Sequence, residues 1–316
     1  MSATLEVTDL TKEVNGHDVI SGVTFKLPGG KIVGLLGPVG AGKTTVLNII
    51  SGLDTEYSGE IRIDGKILEG KGKKNRNIIG YVPSEISFYP ELSVIDNLEF
   101  FGGIYGLSGG KLSGSINGVM KLLQLSAKRE EKAKNLSTAI KRRLNLACSI
   151  LHAPQLLLLD EPVKDLDFQN SIFILDCISE IKKKNNCTIL YAGTFLKKLE
   201  TLLQYVLIIR GGRIIAEGNV EELVARLSGG MIYLTLESSG TEIYDRLKSI
   251  PDVLDVSCES GVFVIRSKNC QETLNDIVPA VHDMDYGISE IKVLKPGFES
   301  AYVHLTRNLD YEEKLG

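Results

Sequence analysis

A glycine-rich segment between two apolar stretches restricts the fold of this chain more than any other feature. The segment GPVGAGKTT follows the strand-like run KIVGLLG and precedes TTVLNIISGL, whose apolar residues recur at helical spacing until Gly52. It satisfies the pattern GxxxxGK[ST], in which glycines let backbone N–H groups turn inward around phosphate oxygens and the helix dipole adds positive potential. This order of strand, loop and helix predicts an α/β fold with a phosphate-binding loop.

The loop carries specific chemical roles. A lysine at position 43 is expected to reach the terminal phosphates, Thr44 to place its hydroxyl on Mg²⁺, and Thr45 to support the same cradle. The alternative is a glycine turn that precedes a helix and binds nothing. The predicted binding residues are Gly37, Pro38, Val39, Gly40, Ala41, Gly42, Lys43, Thr44 and Thr45.

A second motif, LLLLDEP, ends an apolar strand in two carboxylates. Ligands of α/β proteins bind at the carboxyl ends of the strands, which is where Asp160 and Glu161 are expected to lie. We expect Asp160 to hold Mg²⁺ through its water shell and Glu161 to act catalytically, by polarising the water that attacks the γ-phosphate. The alternative is a buried strand that ends in a solvated acidic turn.

The remaining pattern predicts two domains. Three apolar runs, QLLLLD, CTILYAG and YVLIIRGG, read as buried parallel strands. Residues of about 93–151 read as an inserted helical subdomain, with a glycine- and serine-rich loop at 102–118. Beyond the linker-like LSGGM the pattern becomes that of a small α+β domain. We therefore predict an ATP-binding domain at 1–228 and an accessory domain at 229–316.

Composition excludes some classes of protein. The net charge of −4 argues against a general nucleic-acid binder. The five cysteines have no metal-ligand or disulfide spacing, which favours reduced thiols. No run of about 18 apolar residues occurs, so membrane insertion is not expected. The four histidines are scattered and receive no role, and the basic runs KGKKNR and KKK are expected to be solvated.

The sequence resembles the ATP-binding subunits of ABC transporters, especially the drug-resistance and gliding-motility exporter type with a short C-terminal domain. The resemblance covers nearly the whole chain, and PGFESAYVHLTRN resembles the end of that domain. The resembling segments are GLLGPVGAGKTTVLNIISGL, IGYVPSEISFYPELSVIDNLEFFGGIYGL, LSTAIKRRLNLACSILHAPQLLLLDEPVKDLD and VLIIRGGRIIAEGNVEEL, in the family's order.

The resemblance implies a P-loop NTPase fold of the ABC type, with ATP and Mg²⁺ as cofactors. It also implies a second ATP-binding subunit, identical or different, that meets this one head to tail, and membrane-spanning permease partners that hold the chain at the inner face of the cell membrane. The aromatic-rich segment FYPELSVIDNLEFFGGIY is expected to face the permease, although it could instead be core.

Several family positions are altered. Val14 stands where an aromatic residue stacks on adenine, and Ser84 where a glutamine senses the γ-phosphate. The signature reads LSTAI, which keeps Ser137 but loses the glycines. The switch histidine aligns with Thr194, beside Phe195. Asp167 and the phosphate-loop and acidic residues are kept. Either a neighbouring residue could compensate or the alignment could slip by one position.

We expect binding to be better preserved than catalysis. The first hypothesis is a transport ATPase of reduced activity, since each positioned transition-state donor that is missing costs about 10²-fold or more in rate. The second is a regulatory module that binds ATP in a degenerate site and stabilises a heterodimer with a competent partner. Soluble ABC proteins of translation or DNA repair normally have tandem ATP domains or a long coiled-coil insertion, and this chain has neither.

Overall fold

The computed structural model describes residues 2–68, 77–194, 197–226, 230–237, 242–259, 261–294 and 297–307. The chain separates into two compact units, Met1–Gly218 and Asn219–Gly316. The basic run at 71–76 and Phe195 lie outside the described residues.

Strands and helices alternate in the first unit. Its strands are β1 (Leu5–Val14), β2 (His17–Leu27), β3 (Ile32–Leu36), β4 (Ser58–Ile63), β5 (Lys66–Ile67), β6 (Ile79–Val82), β7 (Leu156–Asp160), β8 (Thr188–Gly193), β9 (Tyr205–Arg210) and β10 (Arg213–Gly218). Its described α-helices are α1 (Lys43–Ser51), α2 (Val94–Ile104), α3 (Gly109–Leu122), α4 (Thr138–Ile150) and α5 (Phe168–Asn185).

Two sheets organise this unit. A six-stranded sheet has the order β10-β9-β3-β8-β7-β6, in which every neighbouring pair from β9 to β6 is parallel and β10 is antiparallel. A four-stranded antiparallel sheet has the order β2-β1-β4-β5. Strands β7 and β8 are buried at every residue, as their continuous apolar runs predicted. The parallel arrangement was therefore predicted correctly.

The glycine-rich stretch at 102–118 was predicted as loop and turn, and that prediction was wrong. Helix α2 continues to Ile104 and α3 begins at Gly109, so only a short turn separates them. Packing overrides the weak helix propensity of glycine, because α3 buries one apolar face that includes Ile116 and Met120. At Gly102 a Cβ would come within 2.3 Å of Leu112 Cδ1, so this glycine lets the two helices approach.

The second unit is a β-α-β-β-α-β sheet with added helices. Its described elements are α6 (Val220–Arg226), β11 (Gly230–Leu236), α7 (Ile243–Lys248), β12 (Val253–Glu259), β13 (Val262–Ser267), α8 (Cys270–His282), β14 (Ile288–Leu294) and α9 (Phe298–Arg307). The strands form an antiparallel sheet of order β12-β13-β11-β14. Apolar residues of β11, β12 and β13 pack with those of α7 and α8 into a separate core.

The division between the units falls earlier than the sequence-based boundary at 228/229. Helix α6 packs against α9, and both belong to the second unit, so the division lies between Gly218 and Asn219. Residues 227–229 of the proposed linker lie outside the described residues.

Candidate nucleotide-binding site

The loop after β3 requires glycine at two positions for steric reasons. At Gly37 an added Cβ would lie 2.1 Å from the carbonyl oxygen of Ile209, which no side chain can tolerate. Gly42 has φ of 99°, and its Cβ would lie 2.5 Å from Ile20 Cδ1. The loop thus folds tightly against neighbouring strands before α1 begins at Lys43.

The Lys43 ammonium group folds back across this loop. Its Nζ donates hydrogen bonds to the carbonyl oxygens of Gly37 and Pro38, each at 2.8 Å, and the residue is only 5% exposed. Burial lowers the pKa of Lys43 below its ordinary value, while Glu161 and Asp160 oppose that shift. A positive charge is therefore held within the loop that was expected to receive phosphate.

The two predicted motifs meet in space. The Thr44 hydroxyl donates to Asp160 Oδ2 at 2.8 Å, although 116 residues separate them in sequence. Asp160 is 0% exposed, and its Oδ1 has no hydrogen-bond partner among the described residues. Burial raises the pKa of Asp160 above its ordinary value. A buried carboxylate oxygen without a partner, beside a threonine hydroxyl, is an oxygen donor set that suits a hard divalent cation such as Mg²⁺.

Glu161 turns the chain sharply at the end of β7. Its φ is 45°, in the left-handed region that non-glycine residues seldom adopt. Its N–H donates to the Ala192 carbonyl at 2.8 Å, and its carbonyl accepts from the Lys164 N–H at 3.0 Å. A left-handed residue directly after Asp160 stops the strand, so the half-buried Glu161 lies beside the magnesium-type donor set instead of within the sheet.

The other loop residues vary in burial. Val39 is 87% exposed, whereas Ala41 is buried and its N–H donates to the Pro38 carbonyl at 3.3 Å. Gly40 has φ of 82°, and Thr45 is half-buried on α1.

Four further residues singled out by the resemblance occupy positions that the structure defines individually. Val14 ends β1 and is 43% exposed. Ser84 lies in the loop after β6, where its carbonyl accepts a hydrogen bond from Arg142. Ser137 is the N-cap of α4, and its hydroxyl accepts from the Ile140 N–H at 3.5 Å. Thr194 follows β8 and is exposed.

Sequence reasoning missed a row of polar residues on α4. Arg142, Asn145 and Ser149 are all buried, and each donates to a backbone carbonyl of Tyr81 or of the loop after it. The only sequence signal for these contacts is the presence of polar residues on the face of a helix that otherwise buries leucines. These contacts join α4 to the loop that carries Ser84.

An aromatic surface lies next to that loop. Tyr89 and Phe100 contact each other edge to face with ring centroids 4.7 Å apart, and Phe101 lies 5.6 Å from Phe100. Tyr89, Phe100 and Ile104 are 48%, 41% and 63% exposed. Because this segment is partly exposed, it is not simply core, and it presents apolar area at the surface.

The fold and the site define a P-loop nucleotide-binding unit of the ABC type. A family model for ABC transporters matches residues 20–164. The chain is 29% identical over 305 residues to linearmycin resistance ATP-binding protein LnrL of Bacillus subtilis, which covers 96% of this chain and 98% of the relative. It is 32% identical over 224 residues to Nod factor export ATP-binding protein I of Cupriavidus pinatubonensis, covering 71% of this chain and 69% of that protein.

A solved structure of an ATP-binding subunit of an ABC transporter superposes with a TM-score of 0.64 at 28% identity, covering 70% of this chain and 92% of the other. The chain belongs to the ABC transporter ATP-binding family, and it is an ATP-binding subunit of an ABC transporter. Among the described helices, none has the length and apolar character to span a bilayer. All five cysteines are free thiols.

Proposed function

We propose that this subunit binds Mg-ATP between its phosphate loop and its acidic pair, and that a dimer of such subunits drives or regulates transport through membrane-spanning permeases. The observation that carries this proposal is the Thr44–Asp160 hydrogen bond at 2.8 Å beside the unpartnered Asp160 Oδ1. A buried carboxylate oxygen without a hydrogen-bond partner destabilises the folded protein unless a ligand binds to it.

Each residue of the site has a defined task in this proposal. Lys43 exchanges its carbonyl partners in the loop for phosphate oxygens, and the backbone N–H groups of the loop hold the same phosphates. Thr44 and Asp160 would hold the magnesium ion, which when bound would neutralise phosphate charge. Glu161 orients and polarises the attacking water.

Hydrolysis by this chain is expected to be slow. Ser84 is too short to replace a glutamine, and Thr194 has no imidazole to place beside the γ-phosphate. Each missing donor costs about 10²-fold in rate, so two losses bring turnover far below that of a complete site. A partner subunit with a complete set of donors would restore hydrolysis in at least one of the two sites.

A regulatory role is the second candidate. The favouring observations are the helix-capping position of Ser137, with Thr138 and Ala139 in place of the signature glycines, and the exposed Thr194. In that role bound ATP stabilises a heterodimer, and the partner subunit carries out most of the ATP hydrolysis. Turnover near zero together with micromolar ATP affinity would favour this candidate.

Export is the proposed direction of transport, because the similar proteins are named for linearmycin resistance and Nod factor export. Permease subunits would then hold this chain at the inner face of the cell membrane. The aromatic surface formed by Tyr89, Phe100, Phe101 and Ile104 is the proposed contact with the permease.

The first test is ATP titration by calorimetry with wild type, Lys43→Ala and the control Lys121→Ala, whose lysine is exposed in the last turn of α3. Wild type and the control should bind Mg-ATP alike, and Lys43→Ala should bind at least about tenfold more weakly, as expected for loss of a charge-assisted contact. Absence of ATP uptake by wild type would refute the proposal.

The second test is co-purification from membranes to identify the bound subunits, followed by ATPase rates of that complex. Glu161→Gln should abolish whatever hydrolysis this chain contributes while Mg-ATP affinity is retained. Equal rates for wild type and Glu161→Gln would mean that Glu161 is not the catalytic base here.

A further inference from the structure

The guanidinium group of Arg142 connects three segments of the first unit. Arg142 projects from α4 and is 5% exposed. Its Nη1 donates to the Ser84 carbonyl, and its Nη2 lies 3.8 Å from Asp165 Oδ2, in the loop after β7. Its Nε is buried and has no partner among the described residues. A single side chain thus joins α4, the loop after β6 and the loop after Glu161.

Asn145, one turn further along α4, uses both ends of its amide on the same loop. Its Oδ1 accepts from the Ser87 N–H and hydroxyl, each at 3.1 Å, and its Nδ2 donates to the carbonyls of Pro83 and Glu85 at 3.2 and 3.4 Å. Asn145 is 1% exposed. The loop Pro83–Ser87 is therefore held through its backbone by two residues of a single helix.

Stability alone is a poor explanation for Arg142. A buried guanidinium loses its hydration, and here it regains only one backbone hydrogen bond and a long contact to a 68%-exposed carboxylate. Replacing such a group by an apolar residue of similar volume is commonly neutral or stabilising. The charged side chain fixes the position of α4 relative to two loops. These loops follow the adjacent parallel strands β6 and β7.

We propose that Arg142, assisted by Asn145, is a positioning residue that makes α4 and the Pro83–Ser87 loop move as one body and ties that body to the loop after Glu161. The signature residue Ser137 caps the N-terminus of helix α4, and the Pro83–Ser87 loop leads directly to Phe88 and the aromatic surface. Displacement of α4 at the nucleotide therefore reaches the partner-facing surface through backbone carbonyls, with no need for the Ser84 side chain. This link between nucleotide and partner rests on the proposed function, but the attachment of the loop to α4 does not.

Hydrogen exchange without nucleotide tests the attachment directly. In Arg142→Met the Ser87 amide should exchange at least about tenfold faster than in wild type. The substitution removes the hydrogen bond from the charged Arg142 to the Ser84 carbonyl, and the loss of such a bond shifts the local opening equilibrium of the Pro83–Ser87 loop by that order. The matched control is Arg143→Met. Arg143 is the next residue of α4, but it donates to Asn170 Oδ1 at 3.1 Å and lies over the Phe173 ring. This control should leave Ser87 exchange unchanged.

Arg142→Lys provides a second variant that keeps the charge but has a single ammonium group in place of the forked guanidinium. It should show intermediate exchange at Ser87, and it decides the question if Arg142→Met does not fold. Wild-type exchange in the folded Arg142 variants would overturn the proposal.

Kinetics of the complete transporter test the coupling. Arg142→Met should lower kcat at least about tenfold and leave the KM for ATP within about twofold of wild type, since the contacts of Arg142 are to Ser84 and Asp165 and not to the phosphate loop or the acidic pair. Arg142→Lys should recover part of kcat. A rise in the KM for ATP as large as the fall in kcat, or a kcat equal to that of wild type, would overturn the proposed coupling. If wild type fails to bind ATP, the proposed function fails, while the exchange result still decides whether Arg142 holds the loop.

Discussion

Replacing Asp160 with asparagine should stabilise the nucleotide-free protein and weaken its response to Mg-ATP. The carboxylate is 0% exposed, and one of its oxygens has no partner among the described residues. An unsatisfied buried charge costs more than an unsatisfied neutral group, so removing the charge should raise the free energy of unfolding by about 1–2 kcal/mol. The Thr44 hydroxyl can still donate to the asparagine oxygen.

Thermal unfolding measures both effects. For a domain of this size about 1 kcal/mol corresponds to about 2–4 °C, so the Tm of nucleotide-free Asp160→Asn should rise by about 2–8 °C. Wild type at about 100 times its Kd for Mg-ATP should gain about 2.7 kcal/mol, or about 5–11 °C. In Asp160→Asn most of the magnesium-dependent gain should be lost.

The controls separate the effect of metal binding on stability from the effect of nucleotide binding. With EDTA the two proteins should respond equally to ATP, because the difference between them lies in metal binding. Asp176→Asn is the matched substitution, since Asp176 lies exposed on α5, and it should behave as wild type in both assays. A nucleotide-free Asp160→Asn that unfolds well below wild type, yet keeps the whole Mg-ATP shift, would refute the assignment of Asp160 as a metal-holding residue.

Three other outcomes are expected. Thr194→His should raise phosphate release by the membrane complex about tenfold or more without changing ATP affinity, and an unchanged rate would contradict the role assigned to this position. Burial lowers the pKa of His152 to about 4 from the ordinary 6.5. Wild type should therefore lose up to about 2–3 kcal/mol of unfolding free energy as pH falls from 6.5 to 4. His152→Gln should remove that loss in urea titrations, and a pH profile identical to that of wild type would show that His152 is not its cause. Gly118 lies exposed inside α3 with open space around it, so Gly118→Ala should stabilise by about 0.5–1 kcal/mol, and a lower urea midpoint would contradict this.

The phosphate loop and the acidic pair could be predicted from sequence because each is a local pattern. In each case an apolar strand is followed by a set of polar or glycine residues at fixed spacing, in Gly37 to Thr45 after β3 and in Asp160 and Glu161 at the end of β7. The parallel order of the strands follows from the helices between them. Their convergence at Thr44 and Asp160 was inferred from the rule that ligands bind at strand ends.

The contacts of α4 could not be predicted in the same way. Arg142 and Ser84 are 58 residues apart, and nothing in either local pattern specifies that one donates to the carbonyl of the other. The helix at Gly109–Leu122 was missed for a related reason, since its glycines argue locally against a helix, while the buried face that includes Ile116 and Met120 is defined only by packing. Tertiary contacts decided both cases.

The strand order explains why the altered positions differ in importance. Strand β8 lies between β3 and β7, and all three are parallel, so the residue that follows β8 must lie between the phosphate loop and the acidic pair. Thr194 occupies that central position, and Ser84 follows β6 on the far side of β7. Under the proposed function, a substitution at 194 is therefore expected to act on the chemistry at the phosphate. A substitution at 84 acts on a loop whose backbone is already held by Arg142, so its side chain can be lost with the loop still attached to α4.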